Sequence, residues 1–237
     1  MISVIKFMFC ALGVGLVLAV ATYLLMGATA WLRYGRIGRL ANGSGADSSE
    51  FDRFMPAYEV VERCRVPIAA PAATAFASAC DLDLRRSAII RAIFKARELF
   101  MRGKAEERTK SVGLTSQVKM WGWGLLSERP GHEIIFGAAT QPWLANPVFR
   151  GLPRQEFPAF HDAGYVKICW NLRVDALDSG HCVASTETRV VTNDATARAK
   201  FRLYWALARP GIVLIRWLGL RVGSRSRLIP RCDVQAF

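Results

Sequence analysis

Three histidines are the first places to look for chemistry in this chain, because an imidazole near neutral pH can move a proton or hold a metal. His132 opens a strand beside Glu133, His161 sits in a loop beside Asp162, and His181 follows a hairpin turn. No two of them stand at metal-ligand spacing, and neither an H-E-x-x-H run nor a facial-triad pattern occurs. No serine occupies a G-x-S-x-G elbow, and no glycine-rich phosphate loop is present. The pattern predicts no metal site, no cofactor site and no catalytic constellation; the histidines read as strand-end and loop residues.

Glu187 and Arg189 are the remaining pair suited to acid–base work, and which face they occupy depends on one hairpin. With a three-residue loop they share an outer face with Asn171 and Arg173 as cross-strand charges. With a two-residue loop they turn inward beside Trp170 and Leu172, because a slip of one residue exchanges the faces. The outer register leaves Cys182, Ala184, Thr186, Thr188 and Val190 inside. The tryptophans offer a different chemistry: Trp121, Trp123, Trp143, Trp170 and Trp205 can line a cavity for a flat or lipidic molecule, or simply fill a core. The expected ligand contacts are Trp121, Trp123, Phe136, Trp170, Thr186, Phe201, Tyr204, Trp205 and Ala208.

A long C-terminal helix, from Asn193 to about Leu220, must position many of these residues. Asn193 or Asp194 can cap it, and Ala197, Phe201, Tyr204, Trp205, Ala208, Ile212, Ile215 and Gly219 recur at helical spacing on one apolar stripe. Arg198, Arg202, Arg209 and Arg216 run beside that stripe. Pro210-Gly211 predicts a kink or break near Ala208 or Arg209. Beyond it the helix is apolar almost all round and accompanied by arginines. That segment either rests on an anionic membrane surface or packs on the sheet ahead of a solvated tail.

Ahead of the helix the periodicity is mostly that of strands. Tyr58–Ala69 alternates as a half-buried strand. Pro71 opens a short helix over Ala72–Cys80, followed by a basic helix over Ser87–Met101 and a polar loop over Arg102–Ser116. From Gln117 a strand is expected with Lys119, Trp121, Trp123 and Leu125 on its bulky side. His132–Thr140 is the next strand, Gln141–Phe160 a proline-rich loop, and Tyr165–Asp175 pairs with His181–Thr192 across Leu177–Gly180. Strands closed by a terminal helix predict an α+β layer fold.

The chain has 237 residues, 52% of them hydrophobic, with a formal charge of +13 and a pI near 10.0. Once about forty leading residues are set aside, one domain with a proper core remains. Phe7 to Leu32 carries no charge and is long enough to span a bilayer; it outruns an ordinary signal-peptide core, although Ala28-Thr29-Ala30 fits a cleavage site. Arg33, Arg36 and Arg39 follow it, which predicts a single-pass protein with a cytoplasmic domain. Ala11, Gly15, Ala19 and Gly27 share one face, spacing that lets two anchors pair as a homodimer. The division expected is 1–33 anchor, 34–57 basic flank and flexible linker, 58–221 folded domain and 222–237 basic tail.

Of the three basic clusters, Arg33–Arg39, Arg85–Lys110 and Arg198–Arg231, two flank candidate membrane segments, so anionic lipid is the expected partner. Zinc-finger spacing, basic-plus-heptad runs and ribonucleoprotein aromatics are missing, which argues against nucleic acid. None of the six cysteines forms a C-x-x-C pair, and all six read as small buried hydrophobes of a reducing compartment.

Several segments carry a resemblance. Val66-Pro67-Ile68-Ala69-Ala70-Pro71, then Ala75-Phe76 and Asp81-Leu82, resembles the opening of the START-like or SRPBCC superfamily of polyketide cyclases, hydroxylase α-subunits and lipid-transfer domains. Gly124-Leu125-Leu126 with Glu128-Arg129-Pro130-Gly131 resembles its central meander, Gly164-Tyr165 through Thr186–Val190 its last hairpin, and Phe201–Trp205 its closing helix. The resemblance covers roughly Tyr58 to Arg221 and implies a helix-grip fold, a curved antiparallel sheet wrapped round the C-terminal helix with an apolar cavity between them. It implies no single chemistry. Three functions follow as expectations: a membrane-tethered carrier or sensor of a hydrophobic small molecule (lipid, quinone or polyketide-like); a cyclase- or dehydratase-like enzyme; or an interaction module with a collapsed cavity.

Overall fold

The computed structural model describes residues 2–35, 41–42, 50–82, 113–223 and 231–236. The basic helix expected over Ser87–Met101 lies outside the described residues, as does the Arg102–Ser116 loop up to residue 112.

The leader forms one helix, α1 (Ile2–Gly35). Within it Cys10–Leu32 is long and apolar enough to cross a membrane by length and composition. Residues 50–55, expected in a linker, belong to the fold. A short helix, α2 (Glu50–Phe54), drives Phe51 and Phe54 into the core, and Met55 follows them. A two-residue strand before it, β1 (Ala41–Asn42), pairs with β2 (Ala57–Tyr58).

Six strands make one antiparallel sheet: β3 (Val60–Ile68), β4 (Gly124–Arg129), β5 (Glu133–Thr140), β6 (Val166–Ala176), β7 (Cys182–Thr192) and β8 (Arg231–Ala236). Their spatial order is β4-β5-β6-β7-β3-β8. After β3, Pro71 precedes α3 (Ala72–Cys80), which buries Ala75 and Phe76. The chain from Ala195 to Gly223 is one helix, α5, with Pro210 inside it, so of the kink or break expected near Ala208 or Arg209 the break does not occur. Asp194 caps it, its Oδ1 accepting the Ala197 N–H at 2.8 Å. The fold is therefore α+β, an open antiparallel sheet with a C-terminal helix and one apolar N-terminal helix.

Two expectations fail locally, for physical reasons. Leu114–Met120 is a helix, α4, not the start of a strand. Its buried residues are Leu114, Gln117 and Val118, the i, i+3, i+4 set of one helical face. Trp121 is consequently a helix C-cap rather than a strand residue, and Gly122 ends the turn at φ 89°, a backbone region glycine enters without steric cost. The cysteines are not all reduced: Cys64 is disulfide-bonded, while Cys10, Cys80, Cys169 and Cys182 carry free thiols. The sixth, Cys232, stands opposite Cys64 in the β3–β8 ladder.

Each face of the sheet has its own core. On one, β5, β6 and β7 present Ile134, Phe136, Leu172, Val174, Cys182 and Ala184 to α3 and α4. The same face offers Val60, Val166 and Val190 to Phe201 and Trp205 of α5 and to Ala30 and Tyr34 of α1. On the other face Val61, Ile135, Ala139 and Cys169 meet α2 and the 141–165 loop, which inserts Leu152 and Phe157. That loop is stitched back onto β5 by paired backbone bonds between Ala139 and Arg150, 2.8 and 2.9 Å long. Gly137 makes room for it, since a Cβ there would meet Phe157 and Leu126 at 2.6 Å.

Candidate functional site

The register of β6 on β7 decides which residues share a site. Five residues, 177–181, separate the paired ends Ala176 and Cys182, so Glu187 stands opposite Asn171 and Arg189 opposite Cys169. An odd loop keeps both charges on the α2 face and turns Thr186 and Thr188 toward α5. Three rows then cross the α5 face: Val60–Val190–Ile168–Ala138, Glu62–Thr188–Trp170–Phe136 and Cys64–Thr186–Leu172–Ile134.

The expected ligand residues fall into two groups on this face. Phe136 stacks on Trp170 with ring centroids 5.7 Å apart, and Trp123 packs against the same cluster while stacking on Phe149 at 5.2 Å. Phe201 stacks on Trp205 at 5.6 Å, and Tyr204 leans on Phe201 at 5.9 Å. Thr186 lies buried in the row beside Leu172. Ala208 is half-buried on α5, and Trp121 stays apart at the end of α4.

Between the two aromatic groups the face is polar. Glu62 and Arg209 are both buried, with Arg209 Nε 3.7 Å from Glu62 Oε1. Thr186 Oγ1 and Trp205 Nε1 are buried without a hydrogen-bond partner among the described residues. Such atoms are costly to leave unmet, by about 1–3 kcal/mol each. The sequence does carry a signal for this feature: Glu62 falls in the inward register of a strand that otherwise shows Val60, Cys64, Val66 and Ile68.

The α2 face holds charges of a different sort. Arg189 is buried; its Nε donates to Glu187 at 2.6 Å and its Nη1 to Asp52 at 2.5 Å and to the Met55 carbonyl at 2.8 Å. Its guanidinium also sits 4.7 and 4.6 Å from the ring centres of Phe51 and Tyr58. Arg63 grips both Glu187 oxygens, at 2.8 and 3.1 Å. Burial pushes the Glu187 carboxyl up, but the bond from Arg63 and the charge of Arg189 outweigh it and hold the group below its ordinary range. Asn171 donates to Glu133 at 2.8 Å and accepts the Glu187 N–H at 2.7 Å. Burial depresses the Lys167 ammonium, which donates to the Pro158 carbonyl at 2.8 Å. Every charge in this network has a partner.

The histidines serve at the edges. His132 Nε2 lies 3.2 Å from Asp175 and His181 Nδ1 3.0 Å from Asp178, while His161 is exposed. Among the described residues no cluster of three or more His, Cys, Asp or Glu side chains can hold a metal. A separate open cleft of about 280 Å³ lies between α3, α4 and the β4–β5 turn, lined among others by Cys80, Asp81, Lys119 and Glu128. None of the nine expected ligand residues borders it. No protein-family model, no curated protein and no solved structure matches this chain.

Proposed function

We propose that this chain is a membrane-anchored binding protein, a carrier or sensor, for a small amphipathic molecule of lipid or quinone type. The ligand would lie between the sheet and α5 in a helix-grip domain of START-like kind. The observation that carries this reading is the polar strip within an aromatic face. Thr186 Oγ1 and Trp205 Nε1 are buried there and have no hydrogen-bond partner among the described residues, beside the Glu62–Arg209 pair. A carbonyl or hydroxyl head can meet those donors while an apolar body covers Phe136, Trp170 and Phe201, the usual division of labour in a small-molecule site. An anchor next to the site shortens the path for a ligand that water dissolves poorly. A cyclase-like reaction through Glu187 and Arg189 draws no support, since both side chains are committed to ion pairs on the opposite face.

Native mass spectrometry of the full chain, extracted in mild detergent, tests the reading. The expected result is a one-to-one adduct of an apolar small molecule, weakened when Thr186→Val removes only the side-chain hydroxyl. A bare polypeptide mass under conditions that preserve the fold would sink it.

A further inference from the structure

The geometry points to a second membrane-contacting surface: the outward side of α5 around Leu203 and Leu207, which the anchor holds at the level of the bilayer. The contact begins with Pro210, which has no backbone N–H to offer the Ala206 carbonyl one turn earlier. There α1 passes so close that a Cβ on Gly27 would stand 3.0 Å from the Ala206 oxygen. The next carbonyl, that of Leu207, accepts the Tyr23 hydroxyl. Nearer the domain, Arg202 Nε donates to the Trp31 carbonyl at 3.2 Å, and its guanidinium lies 4.0 Å from the centre of the Trp31 ring. Tyr34 then buries against Phe201, with ring centroids 5.8 Å apart. The order of these pairs makes the helices antiparallel. Tyr34 also donates to Glu59 at 2.6 Å, and Thr192 and Arg198 close round the same carboxylate. The end of the anchor is thus bonded into the domain.

Tyr23, Gly27 and Trp31 all lie within Cys10–Leu32. Tyr23 is about 13 Å along the helix from Leu32 at 1.5 Å per residue. A bilayer round α1 therefore also meets the stretch of α5 paired with it. What α5 exposes there fits that surrounding: Leu203 is 55% and Leu207 43% accessible, beside exposed Leu24, Leu25 and Leu32 of α1. Lys200, a turn before Leu203 on α5, is exposed on the headgroup side, where basic side chains are drawn to anionic lipid. The Arg202–Trp31 pair marks the boundary between the two, as interfacial tryptophans and long cationic side chains do. The Tyr23 hydroxyl is met by a carbonyl, as the hydrocarbon layer requires of a polar group. The occupant of this face is the phospholipid bilayer that holds α1.

The test places the photoreactive residue p-benzoylphenylalanine at position 203 or 207 of the full chain, in nanodiscs of phosphatidylcholine and phosphatidylglycerol. Leu18 in α1 serves as the lipid reference. Leu177 is the aqueous one, being equally apolar and 66% accessible in the turn at the far end of β6. After illumination, intact mass should rise by one phospholipid at 203 and 207, as at 18. Labelling at 203 and 207 no higher than at 177 would overturn the inference. So would no labelling at 18, because the anchor itself would then be outside the bilayer. The inference rests on the membrane anchor of the proposed function: no labelling at 18 fails both, whereas labelling at 18 without labelling at 203 and 207 fails this inference alone and leaves ligand binding untouched.

Discussion

On the α2 face Arg189, Glu187, Asp52, Arg63, Asn171 and Glu133 are buried or half-buried, and each has a partner at hydrogen-bond distance. On the α5 face, one sheet thickness away, the hydroxyls of Thr140 and Thr186 and the indole nitrogen of Trp205 have none among the described residues. The same four central strands build both surfaces, so backbone geometry cannot account for the contrast. What differs is the cover. α2 and the 141–165 loop bring carboxylates, carbonyls and rings to the charges beneath them. α5 brings mainly aromatic and aliphatic side chains. A closed network needs nothing further, whereas unmet donors in an apolar setting are what a ligand can satisfy.

The largest effect is expected from breaking the closed side. Arg189→Met leaves Asp52 without its cation and removes the guanidinium from between Phe51 and Tyr58. Asp52 is half-buried, so uncovering it costs less than the about 3–5 kcal/mol of a fully buried pair. Thermal unfolding followed by circular dichroism should show a lower midpoint, with ligand retention in native spectra unchanged in whatever fraction stays folded. A midpoint equal to that of the parent would mean the network is incidental.

A smaller effect should come from pH. Because Glu187 is held below its ordinary value of 4.5 in the folded chain, it binds its proton less readily folded than unfolded. Its contribution to stability is complete above the ordinary value and drains as pH falls through the lower folded one. Melting temperature should therefore hold down to about pH 5 and drop below it. Glu187→Gln should start lower at neutral pH and show a shallower acid limb. Parallel acid limbs in the two proteins would exclude Glu187 as the group responsible.

How much of this is visible in the sequence depends on how many residues carry each pattern. β6 and β7 are eleven residues each, and their alternation puts Glu187 and Arg189 on one shared face; which face that is depends on the turn, which at five residues is longer than either loop expected. α5 is equally plain, and it runs on through Pro210 without a break. Short elements are not legible. α2 is five residues inside a stretch resembling a tether, and its role depends on Arg189, more than a hundred residues away. α4 is hidden because Lys119, Trp121 and Trp123 alternate with small or slender residues, imitating a strand across a helix end. The Cys64 disulfide escapes because spacing alone does not say which cysteines the fold brings together. Of the site, the aromatic members are legible and the polar strip is not: Glu62 falls on the correct side of β3, but nothing in the sequence places Arg209 over it.

The smallest expected change is the most discriminating. Thr186→Val keeps the shape of the side chain and deletes only the hydroxyl, which in the folded protein has no partner among the described residues. If that hydroxyl waits for a ligand, the empty protein gains by its loss, because a buried polar group without a partner is worse than an apolar one of the same shape. A gain of about 1 kcal/mol in unfolding free energy is expected, with weaker retention of the co-purified molecule. The same substitution logic on the α2 face gives the opposite sign, as expected for Arg189→Met. If Thr186→Val instead destabilises by a similar amount, its hydroxyl is already satisfied within the fold. The contrast between the two faces then disappears, and with it the reason for placing a ligand beneath α5.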